Sequence, residues 1–326
     1  MPTCKIRTVE KAAIGRLTDA GLDAEQARVL VDHMLTADLW GRSSHGLSVR
    51  FKAIHRQAQN GAGENTAEIA EDNGARVVLD AHGGFGYVAG RHAARILIER
   101  VQKHGLASVA LRDTLHTGMI GYYADMAARE GVVSMMFGDC TPLMAPCGGT
   151  EALLGTNPIS FGFPTDEDPI LVDMATSSVA YGSVEEMERS GEKLPERAAV
   201  DENGELTREP SEAKAGALLP FGGHRGGALA VAVQLLAGVA TGADAVPRDG
   251  AGYGLLMVGL EKGTFAGEDR YEAGIRDFQE QYLSVSSRPG CEVRLPGSRR
   301  YEVLREHREC GQVEISEELA RMLELG

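Results

Sequence analysis

The chain has 326 residues with 43% hydrophobic and 25% charged side chains, an ordinary balance for a globular protein long enough to build two or three lobes around a sizeable core. Its formal net charge of −14, without any lysine or arginine run, argues against a nucleic-acid-binding face. The five cysteines (Cys4, Cys140, Cys147, Cys291, Cys310) are odd in number, widely spread and never spaced as C-x-x-C, which argues against a zinc knuckle or a disulfide framework and for reduced thiols in the cytoplasm.

Lys5, Arg7, Glu10 and Lys11 interrupt any apolar run at the start, so no signal peptide is expected. Asp23 with Gln26 predicts a capping box, and Ala27, Leu30, Val31, Met34 and Leu35 follow at helical spacing. That helix leads into GRSSHGLSVR (41–50), and a second helical piece is expected at about 50–59. ARVVLDA (75–81) predicts a strand, and GGFGYVAG (83–90) opens an amphipathic helix carrying Ala93, Ile96, Leu97 and Val101. ASVALRD (107–113) predicts a second strand, followed by a loop and a helix that ends near Gly131. Strands are expected at 132–139, in NPISFGFP and in ILVDM, the last two joined as an antiparallel hairpin by TDEDP.

GSVEEMERSGEKL predicts a polar helix, and AVDENGEL a strand with an Asn-Gly turn. Residues 226–243 carry no formal charge, yet they are mostly Gly and Ala with Gln234 in the middle, so a tightly packed buried helix is expected rather than a membrane span. LLMVGLEKG predicts a strand, RYEAGIRDFQEQYLSVSS a helix, RYEVLREHREC (300–310) a solvated helix face, and the chain closes on a helix from about 315.

Gly84-Phe-Gly86-Tyr-Val-Ala89 matches the dinucleotide fingerprint G-x-G-x-x-G/A, with Asp113 ending the next strand. The rest of the chain lacks the regular β-α alternation of a doubly wound sheet, so these glycines read better as close packing of a helix on a strand.

Four stretches carry candidate chemistry. His45 lies in a loop beside Ser44, where a lone histidine is as readily structural as catalytic. His116 precedes a helix N-terminus, which disfavours positive charge and keeps an imidazole neutral for proton exchange; a helix-capping role is the alternative. Thr156 and Asn157 supply side-chain donors before a strand, for a small polar ligand or a plain turn. Gly222, Gly223, Gly226 and Gly227 surround His224 and Arg225 at a helix start, a combination suited to a phosphate-bearing cofactor.

Taken together, SSHGLS, the H-T-G at 116–118, GGTEALLGTNPISFGFP, VDMATSSVAYG, GALLPFGGHRGG and LPGSRR resemble the type-2 malate/L-lactate dehydrogenase family along the whole chain. That family includes ureidoglycolate and sulfolactate dehydrogenases, diketogulonate reductase and Δ1-piperideine-2-carboxylate reductases. The resemblance implies a mixed α/β, non-Rossmann fold with a largely antiparallel sheet flanked by helices and a helical lobe from both chain ends. It implies three lobes: 1–70 with about 290–326 as a helical substrate lobe; 71–130 and 185–289 for dimerisation and substrate; and 131–184 with parts of 215–245 for the cofactor. It also implies a homodimer that uses NADH or NADPH on a small carboxylate.

By the same resemblance, His116 matches the acid/base of ureidoglycolate dehydrogenase and His45 the proton donor of diketogulonate reductase. Ser44, Arg50 and Thr156 are implied at the substrate. Cys140, Asp173, Met174, Ala175, Thr176, His224, Arg225, Gly297 and Ser298 are implied at the cofactor, and no metal is expected. The chain departs from the family in three places. Arg225 replaces a lysine, Ser183 a basic residue, and Arg50 stands one place later than the usual arginine, with Val49 in its slot. The expected activity is hydride transfer at C2 of a 2-oxo, 2-hydroxy or 2-imino acid, with a cyclic imine reductase or a non-catalytic nucleotide-binding relative as alternatives.

Overall fold

The computed structural model describes residues 2–248 and 250–325. In chain order the elements are β1 (Thr3–Lys5), α1 (Ile6–Asp19), α2 (Ala24–Leu39), α3 (Leu47–Gln59), β2 (Glu68–Asp72), β3 (Arg76–Gly84), α4 (Gly86–His104), β4 (Leu106–Thr114), α5 (Ile120–Arg129), β5 (Val132–Gly138), β6 (Ile159–Phe163) and β7 (Ile170–Met174). They continue with α6 (Tyr181–Ser190), β8 (Ala199–Val200), β9 (Leu206–Thr207), α7 (Pro210–Ala215), β10 (Ala217–Leu218), α8 (His224–Ala237), β11 (Tyr253–Glu261), α9 (Glu268–Ser284), α10 (Ser298–Cys310), β12 (Gln312–Glu314) and α11 (Glu317–Met322).

Strict alternation makes the central strands. In β5, Val132, Ser134, Met136 and Gly138 are buried while the residues between them are half-buried, the period-two pattern of a strand. Seven strands run in the order β2-β3-β4-β11-β5-β6-β7, and every neighbouring pair is antiparallel except β3 and β4. The sheet is therefore largely antiparallel, as expected. The expected 159–174 hairpin is present, with Phe161 opposite Val172.

The sequence pattern around Gly84 has a true βαβ unit beneath it, because α4 links the parallel strands β3 and β4. The glycines serve packing there. A Cβ on Gly86 would lie 2.2 Å from the Leu115 carbonyl oxygen, and one on Gly84 2.5 Å from that of Asn65.

Three apolar centres organise the chain. One lies between the sheet and α4 and α5, around Leu79, Leu97, Leu111, Tyr123 and Met136. A second is built from both chain ends, with Val9, Leu17, Leu30, Met34 and Phe51 against Val313, Ile315 and Leu319. A third holds Met144, Leu154, Val184, Leu194 and Leu218 together. The capping box on α2 forms as expected: Asp23 accepts from Gln26 N, and Gln26 reaches back to Asp23 N. Such a cap is worth about 1 kcal/mol.

Three expectations shift. The 226–243 helix, expected to be buried, exposes Val231 and Leu235 on one face and ends at Ala237, where a 3-10 turn takes over at Val239–Thr241. The helix expected at 50–59 starts at Leu47, where Asp38 Oδ2 accepts the Leu47 N–H. AVDENGEL is a hairpin, with β8 and β9 paired around Asp201, whose side chain accepts from Asn203 and Glu205 N–H. Among the described residues, no helix is long and apolar enough to cross a membrane.

Candidate active site

Six strands have ends along one side of the sheet, where loops enter or leave it. Gly84 pairs with Thr114, Thr114 with Tyr253, Leu255 with Gly138, Phe137 with Ile159, and Ile159 with Met174. The loops beyond these pairs carry His116, Cys140, Thr156 and residues 174–176.

His116 sits in the turn between β4 and α5. Its Nδ1 accepts the Gly118 N–H at 3.0 Å. The backbone of this turn is gripped from several sides. Tyr123 OH donates to the Thr117 carbonyl at 2.6 Å, and Met119 N–H donates to His33 Nε2 at 2.9 Å. Burial, then the charge of Arg50, holds His116 well below the usual histidine range.

His45 ends the 3-10 turn Ser43–His45, directly before α3. Gly46 follows because Asp38 packs where a side chain would stand: a Cβ there would lie 1.7 Å from Asp38 Oδ1. Gly182, at the start of α6, closes over Ser44 in the same way, with a would-be Cβ 2.2 Å from the Ser44 Cβ. Ser44 Oγ lies 3.0 Å from His45 Nδ1. The His45 and His116 rings stack with centroids 6.2 Å apart. Burial first, then Arg50 and Arg42, pushes His45 down to about 3, so both rings are neutral at neutral pH.

The displaced Arg50 does reach this cluster. It lies in the first turn of α3, and its Nε donates to the Ser44 carbonyl at 3.0 Å, which folds the guanidinium back over the His45 turn. Its charge acts on His45, His116 and Tyr87 together.

Asp173 is already engaged by this chain. Arg300 Nη1 lies 3.4 Å from its Oδ2, Arg42 acts on it as well, and burial raises it despite both cations. The Arg300 guanidinium in turn covers the Trp40 ring at 5.1 Å. Asp173 therefore ties β7, α10 and the His45 turn together. Met174 is exposed, Ala175 half-buried, and Thr176 fully buried with its hydroxyl donating to the Thr156 and Asn157 carbonyls. Cys140 Sγ accepts the Thr156 N–H at 3.2 Å, and burial pushes its thiol up.

His224 and Arg225 are exposed at the start of α8, tied to this edge through the Phe221 N–H, which donates to the Thr176 carbonyl. Gly222 and Gly223 have φ of +57° and +63°, with open space where side chains would stand. No side chain caps α8. Gly297 approaches Leu171 closely, and Ser298 Oγ is buried without a partner. A phosphate-bearing dinucleotide fits this donor set: uncapped helix N–H groups, an adjacent cation, and an unpaired hydroxyl at Ser298.

The arrangement thus brings Ser44, His45, Arg50 and His116 into one cluster. Cys140, Thr156, Met174, Ala175 and Thr176 form a neighbouring edge, with His224, Arg225, Gly297 and Ser298 reached from it through Phe221, Leu171 and Arg300. A surface cleft of about 280 Å³, lined by Arg16, Asp19, Phe51, His55 and Met322, lies elsewhere on the helical lobe and holds none of these groups. Sequence reasoning missed His33, Asp38, Arg42 and Arg300. LPGSRR contained Arg300, but only its Gly-Ser pair was used. Among the described residues, no three His, Cys, Asp or Glu side chains are placed to hold a metal ion.

Residues 4–324 match the family described as malate/L-lactate dehydrogenase. A malate dehydrogenase of Pyrococcus abyssi is 38% identical over 235 residues, 69% of this chain; the match spans just under two thirds, 65%, of that relative. A Delta(1)-pyrroline-2-carboxylate reductase of Ancylobacter novellus is 34% identical, covering 88% of this chain and 86% of its own. The solved sulfolactate dehydrogenase of Methanocaldococcus jannaschii superimposes with a TM-score of 0.90 at 30% identity, over 99% of this chain and 95% of that one. The fold is that of a family of dehydrogenases and reductases. The chain belongs to the malate/L-lactate dehydrogenase family and is an oxidoreductase.

Proposed function

We propose that the chain interconverts a small 2-oxo acid with its 2-hydroxy acid, or a 2-imino acid with its amine, using NADH or NADPH. The observation that carries this is the pair of neutral histidine rings 6.2 Å apart with one guanidinium acting on both. A nicotinamide, when bound, supplies or accepts the hydride. The cofactor is held by His224, Arg225 and the start of α8, with Cys140, Thr156, Met174, Ala175, Thr176, Gly297 and Ser298 along its path.

Arg50 holds the substrate carboxylate through charge-assisted hydrogen bonds. The two histidines divide the work at C2. Because His116 Nδ1 accepts from Gly118, its neutral ring carries its hydrogen on Nε2 and can only donate there. It polarises the C2 oxygen or nitrogen as an uncharged donor. His45 moves the proton. In the reductive direction its Nε2–H is given to that oxygen or nitrogen, its Nδ1 takes the Ser44 hydroxyl proton, and Ser44 is refilled from solvent; once product leaves, Nε2 takes a proton from solvent as Nδ1 returns one through Ser44, restoring the starting tautomer. The ring stays neutral throughout, as two nearby arginines require. Oxidation runs the same steps backwards.

The same reading gives a cytoplasmic homodimer. Val231, Leu235 and Val239 form one exposed apolar stripe along and beyond α8, and Phe278, Tyr282 and Leu283 another on α9, either of which suits a second copy.

The test follows NADH and NADPH oxidation with a panel of keto acids and cyclic imino acids. Turnover with one substrate class, abolished by H45A and reduced by H116A, is expected. Cofactor binding without turnover of any panel member sinks the enzymatic reading in favour of a nucleotide-binding relative. Faster turnover of cyclic imines than of keto acids would select the imine reductase.

A further inference from the structure

Buried inside α2, His33 is an unusual occupant of a core position. It is fully buried, with its ring packed against Tyr87, Tyr122 and Tyr123. Its Nε2 accepts the Met119 N–H at 2.9 Å, so its hydrogen resides on Nδ1. That Nδ1 is buried without a partner. An apolar side chain would fill the same space without leaving an orphaned donor, and such an orphan asks for a reason.

The reason lies one residue away. Gly118 is wedged between two rings: a Cβ there would lie 2.5 Å from His33 Nε2 and 2.5 Å from Tyr87 Cε1. With φ of +75°, it turns its N–H back to His116 Nδ1. The Met119 N–H, next in the chain, is taken by His33. Without that acceptor it would be the unpaired donor at the head of α5, and the turn would be free to pivot.

We propose that His33 is a positioning residue for His116. By accepting the Met119 N–H and gripping Gly118, it holds the 116–119 turn in the one conformation that commits His116 Nδ1 to accepting and leaves Nε2 as the donor. His33 touches neither substrate nor cofactor in this role. The inference rests on the assignment of His116 as an uncharged donor. It adds that the tautomer is set from behind, through backbone, by a third histidine. Burial keeps His33 neutral, which its acceptor role requires.

The experiment reads the His116 tautomer by nitrogen-15 NMR in the resting protein, alongside steady-state kinetics with the best substrate of the panel. In the native protein and in H33Q, whose amide oxygen can stand near the Nε2 position, His116 is expected as the Nε2–H form with kcat retained within a few fold. In H33F, which keeps the volume but offers no acceptor, a tautomer mixture is expected. There kcat falls by about tenfold or more while KM for the cofactor is unchanged. H33F with a native His116 spectrum and native kcat overturns the proposal. If H33F does not fold, H33N replaces it, because its shorter amide falls short of the Met119 N–H. Equal kcat and equal spectra in H33N and H33Q are then the overturning result. A tautomer that shifts in H33F while H116A keeps full activity leaves the positioning contact standing and removes the role given to His116.

Discussion

The His45 and His116 rings lie 29° from parallel with centroids 6.2 Å apart, one delivered by the turn before α3 and the other by the turn before α5. Among the described residues, no carboxylate pairs with either ring. Each is held neutral by burial and by Arg50, whose charge would be offset by a bound carboxylate.

That unbalanced charge makes Arg50 the first residue to test. R50K keeps a cation but loses the planar fork. It is expected to raise KM for the acid substrate about tenfold or more, with R50M worse and KM for the cofactor unaffected. An unchanged substrate KM in R50M would remove Arg50 from the site.

The same electrostatics fixes the pH dependence. With His45 pushed from 6.5 down to about 3, kcat/KM, which reports the free enzyme, should show its acid limb far below an ordinary histidine. A bound carboxylate offsets Arg50 and eases protonation of both rings, so the limb in kcat should lie higher. Profiles of both constants between pH 4 and 8 check this. A kcat/KM limb near 6.5 would contradict it.

Stability has a separate pH signature. His33, His45 and His116 have lowered values, so their stabilisation is present above 6.5 and is lost as pH falls toward the folded value. Asp38 and Asp139 are raised from 3.8 to about 7 by burial, so theirs is complete below 3.8 and is lost as pH rises through about 7. The two sets oppose each other between about pH 4 and 6.5. D139N removes one opposing proton, and stability should then fall more steeply with acid, by about 1.4 kcal/mol per pH unit. Urea unfolding at a series of pH values measures the slope. An unchanged slope refutes the assignment to Asp139.

The fingerprint glycines provide a contrast between packing and binding. G86A drives a methyl group into the Leu115 and His116 carbonyls and should cost on the order of 3 kcal/mol or more, or prevent folding. G15A, in the middle of α1 with nothing within 4 Å, should gain about 0.5–1 kcal/mol. A G86A protein of native stability with weakened cofactor binding would restore the dinucleotide reading of 84–89.

Local signals were legible in the sequence. The α2 capping box, the β6–β7 hairpin and the alternation of β5 depend on neighbours along the chain, and all stand where expected. Placement across the chain was not legible. Nothing in residues 253–261 announces that β11 inserts between β4 and β5, since that position is fixed by pairing partners more than a hundred residues away. The short strands β8, β9 and β10 carry too few residues for periodicity to show. At the site, exposed loop residues with distinctive motifs were found, whereas His33 was hidden in an apolar helical run. Its role depends on a backbone N–H 86 residues away. The direction of Arg50 was left open by the sequence for a related reason: the helix start is set by Asp38, from a different helix.

The two ends of the chain meet in β1 and β12, with Cys4 opposite Val313. Near the join, Ser316 N–H donates to Ser48 Oγ and Glu318 pairs with Lys52, both on the helix that carries Arg50. These braces come from residues lying 266 and 268 positions further along the sequence, so this helix completes its packing only against a distant segment. Removing residues 312–325 would take away the β12 pairing and both braces, leaving α3 to its packing against α1 and α2. The setting of Arg50 is thereby coupled to a segment that lies outside the candidate site residues.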